Sequence, residues 1–215
     1  MEDVLSVYKR SCDPDRPVVC TGEMPRQLIE EVREPIPAAP GREAKQDHHY
    51  QRNGVVNLFT FFEPLASWRT VMTRRRRTGT DWAQCIDRLL TAYYPEAERV
   101  VLVMDNLNTH KLKSLYEAFE PSRARELARR LEIHYTPEHG SWPVLAEIEQ
   151  SVLANQCLST RILSIAEMRR QTRAWTERRN KWAERRNKEE GTVNWRFRTE
   201  DARIRLKHLY PKIDD

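Results

Sequence analysis

Asp105 and Glu147 are the residues of this chain best placed to do chemistry. Asp105 follows an unbroken apolar run, Val100 to Met104, which is how a strand buried on both faces delivers a carboxylate to its C-terminal edge. Glu147 follows a loop containing Pro and Gly, in Ser141-Trp-Pro-Val-Leu-Ala-Glu, and opens an amphipathic helix. Two carboxylates at the open edge of one α/β sheet are the oxygen ligands a hard divalent cation takes, and such an ion neutralises charge during phosphoryl transfer. A site of this kind normally has a third carboxylate from an earlier strand, and here that place holds no acid. Asn106 and Asn108 follow Asp105 closely enough to orient its carboxylate, although an ordinary turn would use them equally well. His110 and His139 flank the two acids and could contact phosphate or simply structure their loops.

These side chains need a sheet to hold them. Arg16-Pro-Val-Val-Cys-Thr reads as a first strand, and Gly54 to Glu63 as a second, rich in aromatic and β-branched residues. Pro64 to Ser67 turns the chain into a third, Trp68 to Arg74, giving an antiparallel pair beside the first. Apolar positions 82, 85, 86, 89 and 90 recur at helical spacing, with Thr80 as N-cap. Val100 to Asp105 is the next strand, reached by a right-handed helical crossover. Lys113 to Phe119 and Pro121 to Leu131 read as helices, Ile133 to Thr136 as a short strand. A helix runs from Leu145 through Cys157, and a polar one from Ile165 to Lys188. The expected fold is α/β, a mixed sheet flanked by helices, with a lead-in over 1–15, a core over 16–160 and a basic helical extension over 161–215.

The chain has 215 residues and a net charge of +5, enough for one α/β domain with an appendage. The base is concentrated between Arg169 and Lys207, which suits a polyanionic partner such as DNA. Arg178, Arg179, Arg185 and Arg186 are the candidate contacts; interleaved Glu also allows a solvated, salt-bridged helix. Within it, Trp175-Thr-Glu-Arg-Arg-Asn-Lys181 is repeated as Trp182-Ala-Glu-Arg-Arg-Asn-Lys188. Seven residues rotate a helix face by only about 20°, so the repeat reads as neutral, with a doubled grip on DNA as the other reading. Cys12, Cys20, Cys85 and Cys157 form no CxxC pair; Cys20 and Cys85 fall in apolar segments as small core residues. Trp142 and Trp195 read as core, with base stacking as the alternative. No apolar run is long enough to cross a membrane, and no signal peptide is evident. A cytoplasmic protein of a reducing compartment is expected.

Taken together, Val-Met-Asp105-Asn-Leu-Asn-Thr-His110, His134-Tyr-Thr-Pro, His139-Gly-Ser-Trp, Ala146-Glu147-Ile-Glu149, Asn194-Trp-Arg-Phe and Asp201-Ala-Arg-Ile resemble bacterial transposases of the insertion-sequence 630 group, in the mariner superfamily. The resemblance runs from Arg16 to Pro211. It implies a ribonuclease-H-like core and an Asp-Asp-Glu triad holding two Mg²⁺ or Mn²⁺ ions for DNA cleavage and strand transfer. Asp105 takes the place of the second acid and Glu147 that of the third; Glu149 lies roughly 200° further round the helix. The family's first Asp falls on Gly22, in Val19-Cys20-Thr21-Gly22-Glu23. Glu23 points to the other face of a strand and cannot simply substitute. Asp13 and Asp15 lie near its other end.

The family's loop before the third acid carries an Asn that is absent from Ser141-Trp-Pro-Val-Leu-Ala-Glu. Its N-terminal helix-turn-helix domains have no counterpart before Asp13, which points to a separate chain carrying them. A homodimer is a further assembly open to it. The expectation is an impaired catalytic domain, with a silent DNA-binding or assembly module as the second reading. A nuclease completed by Glu23 or an N-terminal Asp is the third.

Overall fold

The computed structural model describes residues 2–32, 38–43, 49–106, 110–136 and 145–190. Five strands form one sheet: β1 (Val18–Glu31), β2 (Tyr50–Glu63), β3 (Trp68–Arg74), β4 (Val100–Met104) and β5 (Leu131–Tyr135). Their spatial order is β3-β2-β1-β4-β5. The first three pair antiparallel, and β4 and β5 join parallel to β1. Six helices accompany them: α1 (Glu2–Tyr8), α2 (Gly79–Arg88), α3 (Lys113–Ala118), α4 (Pro121–Arg129), α5 (Leu145–Gln156) and α6 (Ile165–Glu190).

Strand parity divides the core into two layers. On one face Val19, Phe59, Leu102 and Met104 pack against Trp82, Ile86 and Leu89 of the α2 region, with Leu115 and Leu127 from α3 and α4. On the other, Val18, Cys20, Val101 and Val103 meet Val4, Val7 and Tyr8 of α1 and Leu145 and Ala146 of α5. Further along that face, Leu28, Val56 and Leu58 receive Leu153, Met168 and Trp175. Each such side chain removed from water contributes about 1.5–3 kcal/mol. Because β4 is buried on both faces, it shows no alternation in sequence, only an apolar run.

Several boundaries differ from the sequence reading. β1 extends to Glu31 and contains Pro25. The ladder to β4 covers only Val18 to Cys20, so the missing amide of Pro25 faces no parallel partner and the strand tolerates it. The N-cap of α2 is Thr78, not Thr80: its side chain accepts from the Asp81 amide while Asp81 accepts from the Thr78 amide. A reciprocal capping box satisfies two free amides where Thr80 would satisfy one. A π-helical turn, Leu89–Tyr93, ends that helix. Leu131 starts β5 instead of ending a helix.

The lead-in and the extension are both built into the domain. α1 buries Val4, Leu5, Val7 and Tyr8, and Arg10 and Arg16 both bind Glu132 at the start of β5. α6 places Met168 and Trp175 in the core, each 1% exposed. Cys20 and Cys85 are fully buried, as expected, and no cysteine is disulfide-bonded among the described residues. Among those residues no helix is long and apolar enough to cross a membrane.

Candidate active site

Alternation along β4 sends Val101 and Val103 to the α5 face, so Asp105, next in that series, falls on the same side. The parallel register pairs Cys20 with Val103. Two residues further along both strands, Gly22 comes beside Asp105. Gly22 also lies on the α5 face: a Cβ built on it would stand 3.4 Å from the Ala146 Cβ and 2.9 Å from Gln150 Nε2. Its φ lies outside the left-handed region, so the backbone there does not require glycine. Gln150 is one helical turn from Ala146 and Glu147. It fills the space above Gly22, and its Nε2 is buried with no hydrogen-bond partner among the described residues.

Glu147 opens α5 beside this point and is exposed, flanked by buried Leu145 and Ala146. Partial burial raises its pKa above the ordinary carboxylate value, and the negative charge of Asp105 raises it further. Glu147 is therefore near enough to Asp105 to feel its charge. Glu149 does something else. It is 5% exposed, and its carboxylate sits 2.7 Å from Arg69 Nε on β3, with the Arg179 guanidinium at 3.8 Å. Burial pulls the pKa of Arg69 down, and Glu149 opposes that shift. Glu149 is a buried counter-ion that fixes α5 across the sheet.

His110 lies on the other side of Asp105. Its Nδ1 is 2.6 Å from Asp105 Oδ1 and its Nε2 is 3.1 Å from Glu23 Oε2. Both ring nitrogens thus donate to carboxylates. Burial alone would lower the pKa, and the bonds to Asp105 and Glu23 more than reverse this, pushing it up to about 9. Trp82 stacks on the ring, with centroids 5.9 Å apart. Glu23 is on the α2 face of β1, as its adjacency to Gly22 requires, and reaches Asp105 only through His110.

Of the residues singled out in the sequence, Asp105, Glu147, Gly22 and His110 come together, and Asn106 is exposed beside them. Asn108, His139, Trp142 and Trp195 lie outside the described residues. Of the basic set, Arg178 and Arg185 are exposed, whereas Arg179 and Arg186 fold over the Trp182 ring, 5.2 and 4.8 Å from its centroid. Sequence reasoning missed the pairing of Glu23 with His110 and the place of Gln150. Gln150 was readable as Glu147 plus three on one helix face; nothing in the sequence marks Glu23 for His110.

A divalent cation fits this donor set in part. Asp105 and Glu147 are two nearby carboxylates, and a hard ion uses one or two carboxylates together with phosphate oxygens. No third ligand comes from β1, and no group of three or more acids, histidines or cysteines able to hold a metal occurs among the described residues.

A mixed five-stranded sheet of this order, with acids at the end of β4 and the start of α5, defines a ribonuclease-H-like fold. Residues 17–169 match the model of the DDE superfamily endonucleases, and the chain belongs to that family. Two solved structures share the fold. One is a crystal structure of the Mos1 mariner paired end complex with Mn, with TM-score 0.53, 19% identity and 86% of this chain covered. The other is a crystal structure of the Mos1 strand transfer complex, with TM-score 0.50, 17% identity and 91% covered. This chain spans 55% and 60% of those two chains. No curated protein sequence matches it.

Proposed function

We propose that the chain is the catalytic part of a bacterial DNA transposase of the insertion-sequence 630 type, impaired in strand cleavage by the loss of its first acid. The observation that carries this reading is Gly22. Continuing the β1–β4 register two residues past Cys20 and Val103 brings it beside Asp105, and Ala146 and Gln150 of α5 lie over it. Asp105 and Glu147 are the acids that would hold Mg²⁺ or Mn²⁺. Such an ion supplies charge neutralisation at the oxygens of a phosphodiester.

The protein's own groups do the rest. His110, charged and held between Asp105 and Glu23, fixes one Asp105 oxygen and leaves the other uncommitted to it. Asn106, and Asn108 beyond it, would orient the same carboxylate. Glu147, its pKa raised beside Asp105, carries the charge that a cation or a positively charged donor would relieve. With nothing at Gly22, the site lacks the ligand that would draw a second cation into the pair. DNA is the partner this reading requires, in the bacterial cytoplasm and at the nucleoid, with a homodimer as the working assembly. A silent DNA-binding or assembly module is the second reading, and the same Gly22 favours it for the unmodified chain.

Nicking of supercoiled plasmid with Mn²⁺ tests the proposal. The unmodified chain should cut at background level, Gly22→Asp should gain cleavage, and Gly22→Asp/Asp105→Ala should lose it. Cleavage by the unmodified chain would show that another acid completes the site. No gain in Gly22→Asp would favour the silent module.

A further inference from the structure

A second basic surface, apart from the repeat of α6, lies beside β3. Four arginines in a row, Arg74 to Arg77, leave the end of that strand, and the last three are exposed. They continue into a groove of about 660 Å³ between β3 and α6, lined by Arg74, Arg88, Arg169 and Arg173. Glu177 is the one acid that faces these cations from the groove wall among the described residues, since Arg69 is already matched by Glu149. Arg75, Arg76, Arg77, Arg88 and Arg173 pair with no carboxylate among the described residues. Two hydroxyls in the wall, Thr73 Oγ1 and Thr176 Oγ1, are buried without a partner, and Thr73 is only 7% exposed.

Strand register relates this surface to the acids. Gly22 pairs with Thr60 and Thr60 with Val71, in the middle of the groove; Pro25 aligns with Asn57 and Asn57 with Arg74. β3 runs in the same direction as β1, so Arg74 to Arg77 emerge from the end of the sheet that carries Asp105. Two strand spacings across and three residues along place Arg74 roughly 14 Å from Gly22. That is the distance of a few phosphates along a nucleic-acid backbone.

A peptide strand adding to the β3 edge is the other occupant such a groove suggests. The edge is already closed against it: Asn180 bonds both the amide and the carbonyl of Arg69, and Arg169 reaches the Thr73 carbonyl. Only the stretch around Val71 is left, too short for strand pairing and walled by arginine.

We propose that Arg75, Arg76, Arg77, Arg88 and Arg173 form a phosphate-binding track that carries DNA from the β3–α6 groove toward the Asp105–Glu147 cleft. The contacts are to the backbone and carry no sequence preference. The inference rests on the reading of this chain as one that acts on DNA, and deepens it by naming the surface.

Anisotropy of a labelled duplex of about 20 base pairs tests it, with the full chain, in EDTA, over a series of KCl concentrations. EDTA removes metal-bridged contacts and metal-dependent cleavage, so binding and cleavage are judged separately. Arg75→Ala/Arg76→Ala/Arg88→Ala/Arg173→Ala should weaken binding at least about tenfold and flatten the slope of log K against log[KCl] by about 3. The control Arg52→Ala/Arg99→Ala/Arg125→Ala/Arg129→Ala removes the same charge elsewhere and should leave the slope nearly intact. Thermal unfolding of each variant confirms that it folds. Equal losses in both variants, no loss in the first, or no duplex bound by the parent chain would each overturn the proposal. Track-dependent binding without nicking by Gly22→Asp would keep the track and remove the cleavage reading; nicking with track-independent binding would do the reverse.

Discussion

His110 shows how a buried polar residue is kept charged. Its two carboxylate partners, at 2.6 and 3.1 Å, hold the imidazolium against the cost of burial and push its pKa from the ordinary 6.5 up to about 9. A raised pKa means the folded state holds the proton more tightly than the unfolded one. The stabilisation is therefore complete below about pH 6.5 and is lost as the pH rises through about 9. Thermal unfolding of the metal-free protein between pH 6 and 10 should show this decline, and His110→Gln should lack that part of it. An identical profile in the variant would contradict the assignment.

The two glutamates of α5 make a second residue-scale prediction. Glu149→Ala strands the buried Arg69 charge beside Arg179, whose like charge adds to the loss, and should cost about 3–5 kcal/mol. Glu147→Ala removes an exposed group repelled by Asp105 and should change stability by no more than about 0.5 kcal/mol. Denaturant unfolding of both variants separates the structural acid from the site acid. At this scale the sequence offered Asp105, Glu147 and Gly22 as candidates, because each sits in a recognisable local pattern. It did not show which of Glu147 and Glu149 faces Asp105, because that depends on Arg69, 80 positions earlier in the chain.

Among the elements, α6 is where the sequence was least transparent. The repeat reads as neutral from its spacing, yet its two copies do related work on the edge of the sheet. Asn180 bonds the Arg69 amide and carbonyl at 3.0 and 2.9 Å, and Asn187, seven residues on, donates to the Ala66 carbonyl at 3.0 Å. The near-integral two turns keep both amides on one face, where they stand in for a neighbouring strand and close an edge that would otherwise be open. Trp175 of the first copy is 1% exposed, while Trp182 of the second is 49% exposed between two guanidinium groups. Asn180→Ala, with two bonds lost to partly buried backbone, should cost about 1–3 kcal/mol, and Asn187→Ala about half as much. Equal and negligible effects by denaturant unfolding would restore the neutral reading. The helix itself was readable as a long polar stretch from Ile165 to Lys188. Its docking surface was not, since an edge strand announces nothing about what covers it.

For the molecule as a whole, the strand order could be anticipated because a hairpin followed by two helical crossovers leaves few right-handed topologies. The N-terminal segment was harder. α1 has only seven residues, and its place is set by distant partners: Tyr8 receives the Cys20 thiol, and His134 binds Asp3 as well as Glu132. These contacts hold the N-terminal end of the described chain against the sheet that carries the acids. On the proposed function, Gly22 is a local loss within this frame. Restoring an acid there asks little of the fold, since only the flexible end of Gln150 must move, and its unpartnered amide could donate to the new carboxylate.

Titration calorimetry of Mn²⁺ into the protein tests this most directly, on the parent chain, Gly22→Asp and Gly22→Asp/Asp105→Ala. The parent should bind weakly, Gly22→Asp at least about tenfold more tightly, as expected when a site gains a carboxylate ligand, and the double variant no better than the parent. Tight binding by the parent, or no gain in Gly22→Asp while it remains folded, would contradict the assignment of Gly22 as the missing ligand position.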